Sequence, residues 1–188
     1  MDFAPFVTLL RRWNRTLNLI APDDEVRIEA RHIADSLQLV PLIPPTVDRA
    51  IDLGSGAGFP GLVLAAATGI PFDLIESDQR KAAFLREAAR LLGAPVAVHA
   101  QRIETVRLPP APLVTARALA PLPRLLALAA PLLAPGGVAL FLKGGAVESE
   151  LTAAGREWHM RVERFPSRTS ATGVILRISE LARVPSAG

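Results

Sequence analysis

Residues 50–61 read AIDLGSGAGFPG, and this stretch decides the fold. Its first four residues predict a buried strand, and the apolar segment from Gly61 to Thr68 predicts a helix. Between them lie Gly54, Gly56 and Gly58, which allow a tight turn and a close approach of a ligand to the backbone. A strand, a glycine-rich turn and a helix in this order predict a nucleotide-binding site at the turn.

The rest of the chain continues the same alternation of short apolar runs and helical segments. We predict strands at 50–53, 72–75, 96–98, 113–116 and 138–142, and helices at 61–68, 79–92 and 122–133. Because strands that alternate with helices imply right-handed crossovers, the sheet should be parallel and covered on both faces. A helix near 148–158 then precedes two closing strands at 160–165 and 174–178. The predicted fold class is therefore α/β, a doubly wound, mainly parallel sheet that ends in a C-terminal antiparallel strand pair.

The first forty residues predict an N-terminal helical extension. The apolar residues of a first helix recur at helical spacing, namely Phe3, Phe6, Val7, Leu10 and Leu17. A second helix is predicted to begin after Pro22, where acidic residues occupy the N-cap and the first turn, and to run through Leu37 until Pro41.

Length and composition predict one domain over residues 1–188. Within it we expect N-terminal helices over the site (1–45), a cofactor-binding core (46–145) and a C-terminal helix with closing strands (146–188). A chain of this length buries roughly 70% of its unfolded surface, so it needs no disulfide or metal for stability. The sequence has no cysteine, which excludes disulfides, thiolate metal sites and a cysteine nucleophile. We expect a monomer without bound metal.

Nothing near the N-terminus predicts secretion, because no basic segment precedes an apolar one. Residues 125–142 carry no charge and approach the length of a membrane span. Pro131, Pro135 and Gly136 interrupt them, which favours a short buried helix, a turn and a core strand. We therefore expect a cytoplasmic protein that does not associate with membranes.

The charge is weakly basic, with a formal net value of +3 and cations that are almost all arginine. Arginine suits phosphates and guanine edges, so the composition permits a nucleic-acid partner without requiring one. Arg11, Arg12 and Arg15 of the first helix could bind RNA phosphates. The same arginines could equally form a solvated helix face beside a buried tryptophan. Lys143, at the end of the fifth predicted strand, is a further candidate for RNA binding.

Acidic residues at the ends of two strands indicate which nucleotide the glycine turn would bind. Asp52 could orient the turn and contact the cationic end of a bound amino acid. Glu76 ends the second predicted strand, where a carboxylate can accept hydrogen bonds from both ribose hydroxyls. A nucleoside that carries an amino acid fits both acids, and S-adenosylmethionine has this structure.

A dinucleotide cofactor is the main alternative, because residues 56–61 also match the pattern G-x-G-x-x-G. Two features count against NAD. Asp52 would place a negative charge beside an anionic pyrophosphate. Pro60 removes one amide from the helix start whose N–H groups would bind that phosphate. An NAD-dependent oxidoreductase therefore remains the less favoured interpretation.

The sequence also restricts the methyl acceptor. Methylation of pyrimidine C5 usually needs a cysteine nucleophile, which is absent. Methylation of an exocyclic amine commonly uses a polar residue, two prolines and an aromatic after the fourth strand, but residues 115–119 read TARAL. Guanine N7 has a free lone pair in the major groove and could attack a sulfonium methyl group directly. Catalysis would then require mainly in-line positioning and no strong base.

Several segments between residues 11 and 145 follow the order of one known family. They are Trp13-Asn14, Leu17-Asn18-Leu19, Arg31-His32-Ile33-Ala34-Asp35-Ser36-Leu37, Gly54-Ser55-Gly56-Ala57-Gly58-Phe59-Pro60-Gly61, Glu76-Ser77, Lys81, Phe84-Leu85, Arg102-Ile103-Glu104, Thr115-Ala116-Arg117-Ala118 and Lys143-Gly144. With them the chain resembles the bacterial small-subunit ribosomal RNA guanine-N7 methyltransferases, known as RsmG or GidB. The phrase Gly-Phe-Pro-Gly after the loop and the upstream His-x-x-Asp-Ser-Leu carry most of this resemblance.

The resemblance implies a class I, Rossmann-like methyltransferase that methylates N7 of one guanine in the decoding region of 16S ribosomal RNA. The partner would be 16S RNA or a precursor of the small subunit. By position, Gly54 and Phe59 would line the cofactor site, Glu76 would hold the ribose, and Ile103-Glu104 would border the adenine. Arg117 would lie between the cofactor and the acceptor.

Three further residues are candidates for positioning the acceptor. His32 and Asp35 lie three residues apart on one predicted helical face, where they could seat the guanine or simply bond to each other. Arg117 ends an inner strand in the crevice where ligands bind, and a charge is costly there unless it is used. A small-molecule methyltransferase with the N-terminal helices as a lid is an alternative, although such a substrate would not need an arginine-rich first helix.

Overall fold

The computed structural model describes residues 1–185, and residues 186–188 of the predicted domain lie outside this range. The α-helices are α1 (Ala4–Leu17), α2 (Ala34–Leu37), α3 (Gly61–Thr68), α4 (Gln79–Leu92), α5 (Leu122–Ala129) and α6 (Val147–Ala154). The strands are β1 (Ala50–Leu53), β2 (Phe72–Ile75), β3 (Val96–His99), β4 (Ala111–Arg117), β5 (Leu133–Lys143), β6 (Trp158–Pro166) and β7 (Val174–Arg183).

The seven strands form one sheet in the order β3-β2-β1-β4-β5-β7-β6. Strands β1 to β5 pair in parallel, whereas β7 is antiparallel to both β5 and β6. The strand order reverses next to β1, which has β2 on one side and β4 on the other. The predicted parallel sheet with a closing antiparallel pair is confirmed, and its reversal point lies at the glycine-rich turn.

Two hydrophobic layers cover the sheet. One face packs against α1, α3 and α4 through residues such as Phe6, Leu62 and Phe84, and the other against α5 and α6 through Leu125 and Ala154. Strand β1 is buried along its whole length, as expected for a central strand covered on both faces. Within residues 1–185, no helix is both long and apolar enough to span a membrane.

The second N-terminal helix differs from its prediction. Instead of one helix to Leu37, the segment forms a 3₁₀ turn (Pro22–Arg27), a π turn (Glu29–Ile33) and the short α2. The π turn contains His32, and π turns of this kind often lie at functional sites because they redirect side chains. Contacts of His32 and Asp35 with Arg117 prevail here over the helical pattern of the sequence.

Other boundaries shift near prolines and strand partners. Helix α5 ends at Ala129 and a 3₁₀ turn follows (Ala130–Leu132), because Pro131 cannot continue the hydrogen-bonding pattern. Strand β5 begins five residues earlier than predicted, since Leu133 already pairs with Ala111 across a register shift. The final strands are also longer than predicted, because β7 continues to pair with β6 after Ile178, where its pairing with β5 stops.

Aromatic contacts hold α1 against α4. Phe84 of α4 is fully buried, 6.2 Å from the ring centre of Phe6 and 5.9 Å from that of Trp13. The Trp13 indole also donates a hydrogen bond of 3.0 Å to Glu87. These contacts place the N-terminal segment over the sheet.

We expect Phe84→Ala to lower the free energy of unfolding by about 3–5 kcal/mol, because it leaves a cavity between α1 and α4. Urea denaturation followed by circular dichroism measures this loss. Leu91→Ala on the same helix is the matched control, since Leu91 is 48% exposed and should change stability by less than about 0.5 kcal/mol. Equal losses for both variants would contradict the packing described here.

Candidate active site

The carboxyl ends of four parallel strands meet at one edge of the sheet. The glycine loop follows β1, Glu76 follows β2, Arg117 ends β4 and Lys143 ends β5. In open α/β sheets, ligands bind at this edge, where the strand order reverses. The topology thus brings together residues that are far apart in the sequence.

The glycine loop adopts a backbone that other residues rarely accept. Gly54, Gly56 and Gly58 have φ angles of 64°, 53° and 89°. A Cβ atom at Gly54 would lie 2.6 Å from Leu119 Cδ1, and one at Gly58 would lie 3.0 Å from Leu62 Cβ. The loop therefore presents bare backbone, as the sequence predicts for a site that a ligand approaches closely.

Two cavities adjoin this loop, and Gly54 and Gly56 line both of them. The first, about 450 Å³, is lined by polar residues that include His32, Asp35 and Arg117, together with Phe59. The second, about 410 Å³, is lined by residues that include Glu76, Arg102, Ile103, Glu104 and Leu119. An elongated ligand that crosses the glycine backbone could occupy both cavities.

Glu76 is buried beside the second cavity, with both carboxylate oxygens engaged by the backbone. Its Oε2 accepts a hydrogen bond of 2.9 Å from the N–H of Gly56, and its Oε1 accepts one of 2.8 Å from that of Asp78. These two bonds fix the carboxylate between the glycine loop and the start of α4. Ile103 and Glu104 line the same cavity, so it contains the residues that the sequence assigns to ribose and adenine.

Asp52 lies beneath the loop, outside both cavities, and is fully buried. The Thr115 hydroxyl donates a hydrogen bond of 2.6 Å to its Oδ1. Burial raises the pKa of Asp52 to about 6, against the lowering effect of the Thr115 and Ser55 hydroxyls. A Cβ at Gly61 would lie 2.4 Å from Asp52 Cβ, so the start of α3 packs directly on this acid. The geometry supports the predicted role in orienting the turn, whereas contact with a bound amino acid stays a prediction.

Arg117 lies at the centre of the first cavity's polar wall. Its Nη1 donates a hydrogen bond of 2.7 Å to His32 Nδ1 and lies 3.6 Å from Asp35 Oδ2. Its guanidinium carbon is 5.0 Å from the centre of the Phe59 ring, which also stacks on His32 at 5.0 Å. The predicted positioning residues His32, Asp35 and Arg117 therefore form one contiguous group.

His32 is neutral in this group. Burial, reinforced by the positive charge of Arg117, lowers its pKa to about 4. Because a guanidinium can only donate, Nδ1 must be the unprotonated nitrogen and Nε2 carries the proton. Nε2 lies 3.5 Å from Asp24 Oδ2. Burial also lowers the pKa of Arg117, which Asp35 partly offsets.

The predicted RNA-binding residues are dispersed and differ in their surroundings. Arg11 donates to the Glu25 carbonyl, and Arg12 forms an ion pair with Glu87 at the exposed surface. Arg15 is exposed in the last turn of α1. Lys143 lines the first cavity, and its ammonium lies 2.6 Å from Glu150 and donates to the Ala120 carbonyl. The structure thus gives Lys143 a structural partner, and its RNA contact stays a prediction.

Part of the first cavity was not expected from the sequence. The turn between β6 and β7 contributes Ser167, Ser170 and Gly173, and Val174 begins β7 beside them. A cluster of serine, threonine and glycine predicts a turn at this point but not its neighbours. Only the antiparallel pairing of β7 with β5 brings the turn to the edge where the ligand cavities lie.

We expect the His32 ring to stay neutral in the folded protein until the pH approaches its pKa of about 4. Proton–carbon NMR spectra of the histidine rings across pH 4 to 8 would follow it. Arg117→Ala should raise the midpoint of His32, because a nearby positive charge is removed. A wild-type midpoint at the ordinary value of 6.5 would contradict the tautomer assigned here.

The same pKa shift has a consequence for stability. Between the ordinary pKa of 6.5 and the folded value of about 4, the unfolded state binds the proton and the folded state does not. His32 therefore contributes stability that is present above pH 6.5 and lost as the pH falls toward 4. Asp52 acts in the opposite sense, because its contribution to the stability of the protein is lost as the pH rises from 3.8 to about 6. Relative to His32→Gln, wild type should lose stability on acidification.

Comparison with known proteins identifies the family of this chain. A family model described as rRNA small subunit methyltransferase G matches residues 1–173. A protein of Granulibacter bethesdensis named ribosomal RNA small subunit methyltransferase G is 58% identical, covering 96% of this chain and 85% of its own length. One of the same name from Acidiphilium cryptum is also 58% identical, covering 95% of this chain and 83% of its own length.

Solved structures show the same fold at low sequence identity. An O-methyltransferase from Bacillus cereus in complex with SAH superposes with a TM-score of 0.61 at 13% identity, covering 96% of this chain and 93% of its own. The N-methyltransferase NodS from Bradyrhizobium japonicum, in complex with S-adenosyl-L-homocysteine, gives 0.61 at 15% identity, covering 95% and 99%. The predicted class I, Rossmann-like methyltransferase fold is confirmed, and the chain belongs to the rRNA small subunit methyltransferase G (GidB) family.

Proposed function

We propose that this chain transfers a methyl group from S-adenosylmethionine to N7 of one guanine in the decoding region of 16S ribosomal RNA. At the coarser level it is an S-adenosylmethionine-dependent methyltransferase of small-subunit ribosomal RNA, as its family membership indicates. The observation that carries the finer proposal is the first cavity, where the histidine and the carboxylate are both already committed to Arg117. This favours an acceptor atom that needs no deprotonation.

The residues around the glycine loop fit the cofactor. Any side chain at Gly54 would project toward Leu119, between the two cavities, so a ligand can cross only at bare backbone. Glu76 would hold the ribose, with Ile103 and Glu104 beside the adenine. S-adenosylmethionine, when bound, supplies a methyl group on a positively charged sulfur. The protein's task is then to align the acceptor with that methyl group and to exclude water.

The lone pairs in the first cavity restrict which acceptor atom can be methylated there. His32 Nδ1 accepts a hydrogen bond from Arg117, and its other nitrogen carries the proton. An exocyclic amine loses a proton on methylation, and His32 could not accept it without breaking this bond. Guanine N7 has a lone pair that forms the N–C bond while the C–S electron pair stays on sulfur, so no proton has to move. Methylation of N7 therefore needs no proton acceptor, and it is compatible with a neutral His32.

Charge balance also supports N7. The purine gains a positive charge when N7 is methylated, and an unpaired arginine nearby would oppose this charge. Asp35 lies 3.6 Å from the Arg117 guanidinium and offsets it. Asp24, on the far side of His32, is paired with Arg31, so it offsets the charge of that second cavity-lining arginine. The acceptor cavity can thus tolerate a cationic product.

The acceptor atom can be tested with 16S transcripts that contain either guanosine or 7-deazaguanosine, each reconstituted into small subunits. With labelled S-adenosylmethionine, we expect methylation only of the guanosine-containing particles, because the deaza base lacks the N7 lone pair. Borohydride–aniline cleavage should then place the modified guanine in the decoding region. Label transfer to 7-deazaguanosine particles, or cleavage elsewhere in the RNA, would refute the proposal. Assay of free transcripts in parallel would show whether the assembled particle is required.

We expect Glu76→Gln to weaken binding of S-adenosylhomocysteine by roughly tenfold or more, because hydrogen bonds to a charged group contribute about 1.5–3 kcal/mol. Isothermal titration calorimetry measures this affinity. Glu157→Gln is the control, because Glu157 is exposed and its side chain pairs with Arg183 and not with a residue assigned to the cofactor site. Unchanged affinity in Glu76→Gln would remove Glu76 from the cofactor site.

A further inference from the structure

The turn between β6 and β7, residues 167–173, lies against the first cavity. Ser167, Ser170 and Gly173 line this cavity together with Arg117 and His32. The turn is closed by backbone hydrogen bonds from Ser167 to Gly173 (2.9 Å) and from Gly173 to Ser170 (3.2 Å). These three residues therefore form one wall of the cavity.

One carboxylate links this wall to the rest of the site. Asp35 Oδ1 accepts hydrogen bonds of 2.6 Å from the Thr169 hydroxyl and 2.6 Å from the Gln38 amide. Its other oxygen, Oδ2, lies 3.6 Å from Arg117 Nη1. Asp35 thereby connects the N-terminal segment, the end of β4 and the β6–β7 turn.

Further bonds hold the turn to the N-terminal segment. Gln38 Oε1 accepts a hydrogen bond of 2.9 Å from the Arg168 N–H, and Arg31 donates one of 3.4 Å to the Thr169 carbonyl. The Ser167 hydroxyl accepts from the Thr169 N–H at 3.2 Å. Two hydroxyls of the turn donate to the Asp35 carboxylate, and the bond from Thr169 at 2.6 Å is shorter than the one from Ser167 at 3.5 Å. Hydrogen bonds to a charged group are the strong ones.

We propose that the cavity-lining residues of the β6–β7 turn, Ser167, Ser170 and Gly173, form the acceptor-side wall that orients the target purine. Thr169 is the positioning residue that holds this wall to Asp35, which pairs with Arg117. The assignment of a purine to this cavity rests on the function proposed above. Thr169 acts through Asp35 and does not touch the reacting atoms. Without its hydroxyl, the wall loses its bond to Asp35 and Asp35 is held less firmly beside Arg117, so the purine is aligned less often with the methyl group.

The test compares Thr169→Val, which removes the hydroxyl at constant shape, with Thr169→Ser, which keeps it. Thr172→Val is the matched control, because Thr172 is exposed on the same turn and its side chain makes no hydrogen bond within the described residues. In methylation assays on small subunits, we expect kcat/KM for Thr169→Val to fall roughly tenfold, the effect of losing one hydrogen bond to a charged group. Thr169→Ser and Thr172→Val should stay close to wild type. The affinity for S-adenosylhomocysteine, which we assign mainly to the glycine loop and Glu76, should be unchanged in all three.

The ring resonances of His32 test the positioning role of Thr169 independently of which acceptor atom is methylated. Since Arg117 bonds to His32, Thr169→Val should shift the His32 ring resonances, whereas Thr172→Val should not. If Thr169→Val matches Thr172→Val in both rate and spectrum, the positioning role is wrong. If Thr169→Val instead loses melting temperature and S-adenosylhomocysteine affinity together, the residue is merely structural and the proposal is also overturned. Methylation at an atom other than N7 would refute the proposed function while leaving this comparison of variants valid.

Discussion

The largely buried guanidinium of Arg117 is the constraint on which the arrangement of the site depends. A charge at the end of an inner strand is costly unless it is paired and hydrogen-bonded. All of its partners come from outside the strand, because His32 and Asp35 belong to the N-terminal segment and Phe59 to the glycine loop. Satisfying this charge therefore requires the N-terminal segment to lie over the sheet edge, which closes one side of the cavity.

Strand β4 also connects this charge to the glycine loop. Two residues before Arg117, the Thr115 hydroxyl bonds to the buried carboxylate of Asp52, and residues two apart on a strand point to the same face. Asp52 in turn packs against Gly61 at the start of α3, where a side chain would collide with it. The register of β1 with β4 thus sets the distance between the loop that would bind the cofactor and the arginine that faces the acceptor.

The parts of the site that follow from local signals were predictable from the sequence. The glycine loop, Glu76 and Arg117 each stand at the end of a recognisable strand, and parallel topology is enough to bring such ends together. The broken helix around His32 and the wall formed by Ser167, Ser170 and Gly173 were not predictable, because both depend on contacts between distant segments, 85 residues apart for His32 and Arg117 and 134 for Asp35 and Thr169. Asp35 and Thr169 illustrate this, since neither residue alone has a sequence pattern that predicts their hydrogen bond. Lys143 also ends a strand and lines the first cavity, but its pairing with Glu150, which neutralises the charge, was not predictable from the sequence.

The network around Arg117 also bears on the kind of chemistry this site can catalyse. A general base needs a free lone pair within reach of the acceptor proton and a pKa near the working pH. His32 has neither, since its pKa is lowered to about 4 and its unprotonated nitrogen faces Arg117. Both oxygens of Asp35 are also occupied, one by hydrogen bonds from Thr169 and Gln38 and the other by the ion pair with Arg117. A site that uses its bases to hold its own side chains in place can still accelerate a reaction by alignment, provided that the acceptor already carries its lone pair. Guanine N7 meets that condition and needs no proton transfer, whereas an exocyclic amine must also lose a proton when it is methylated.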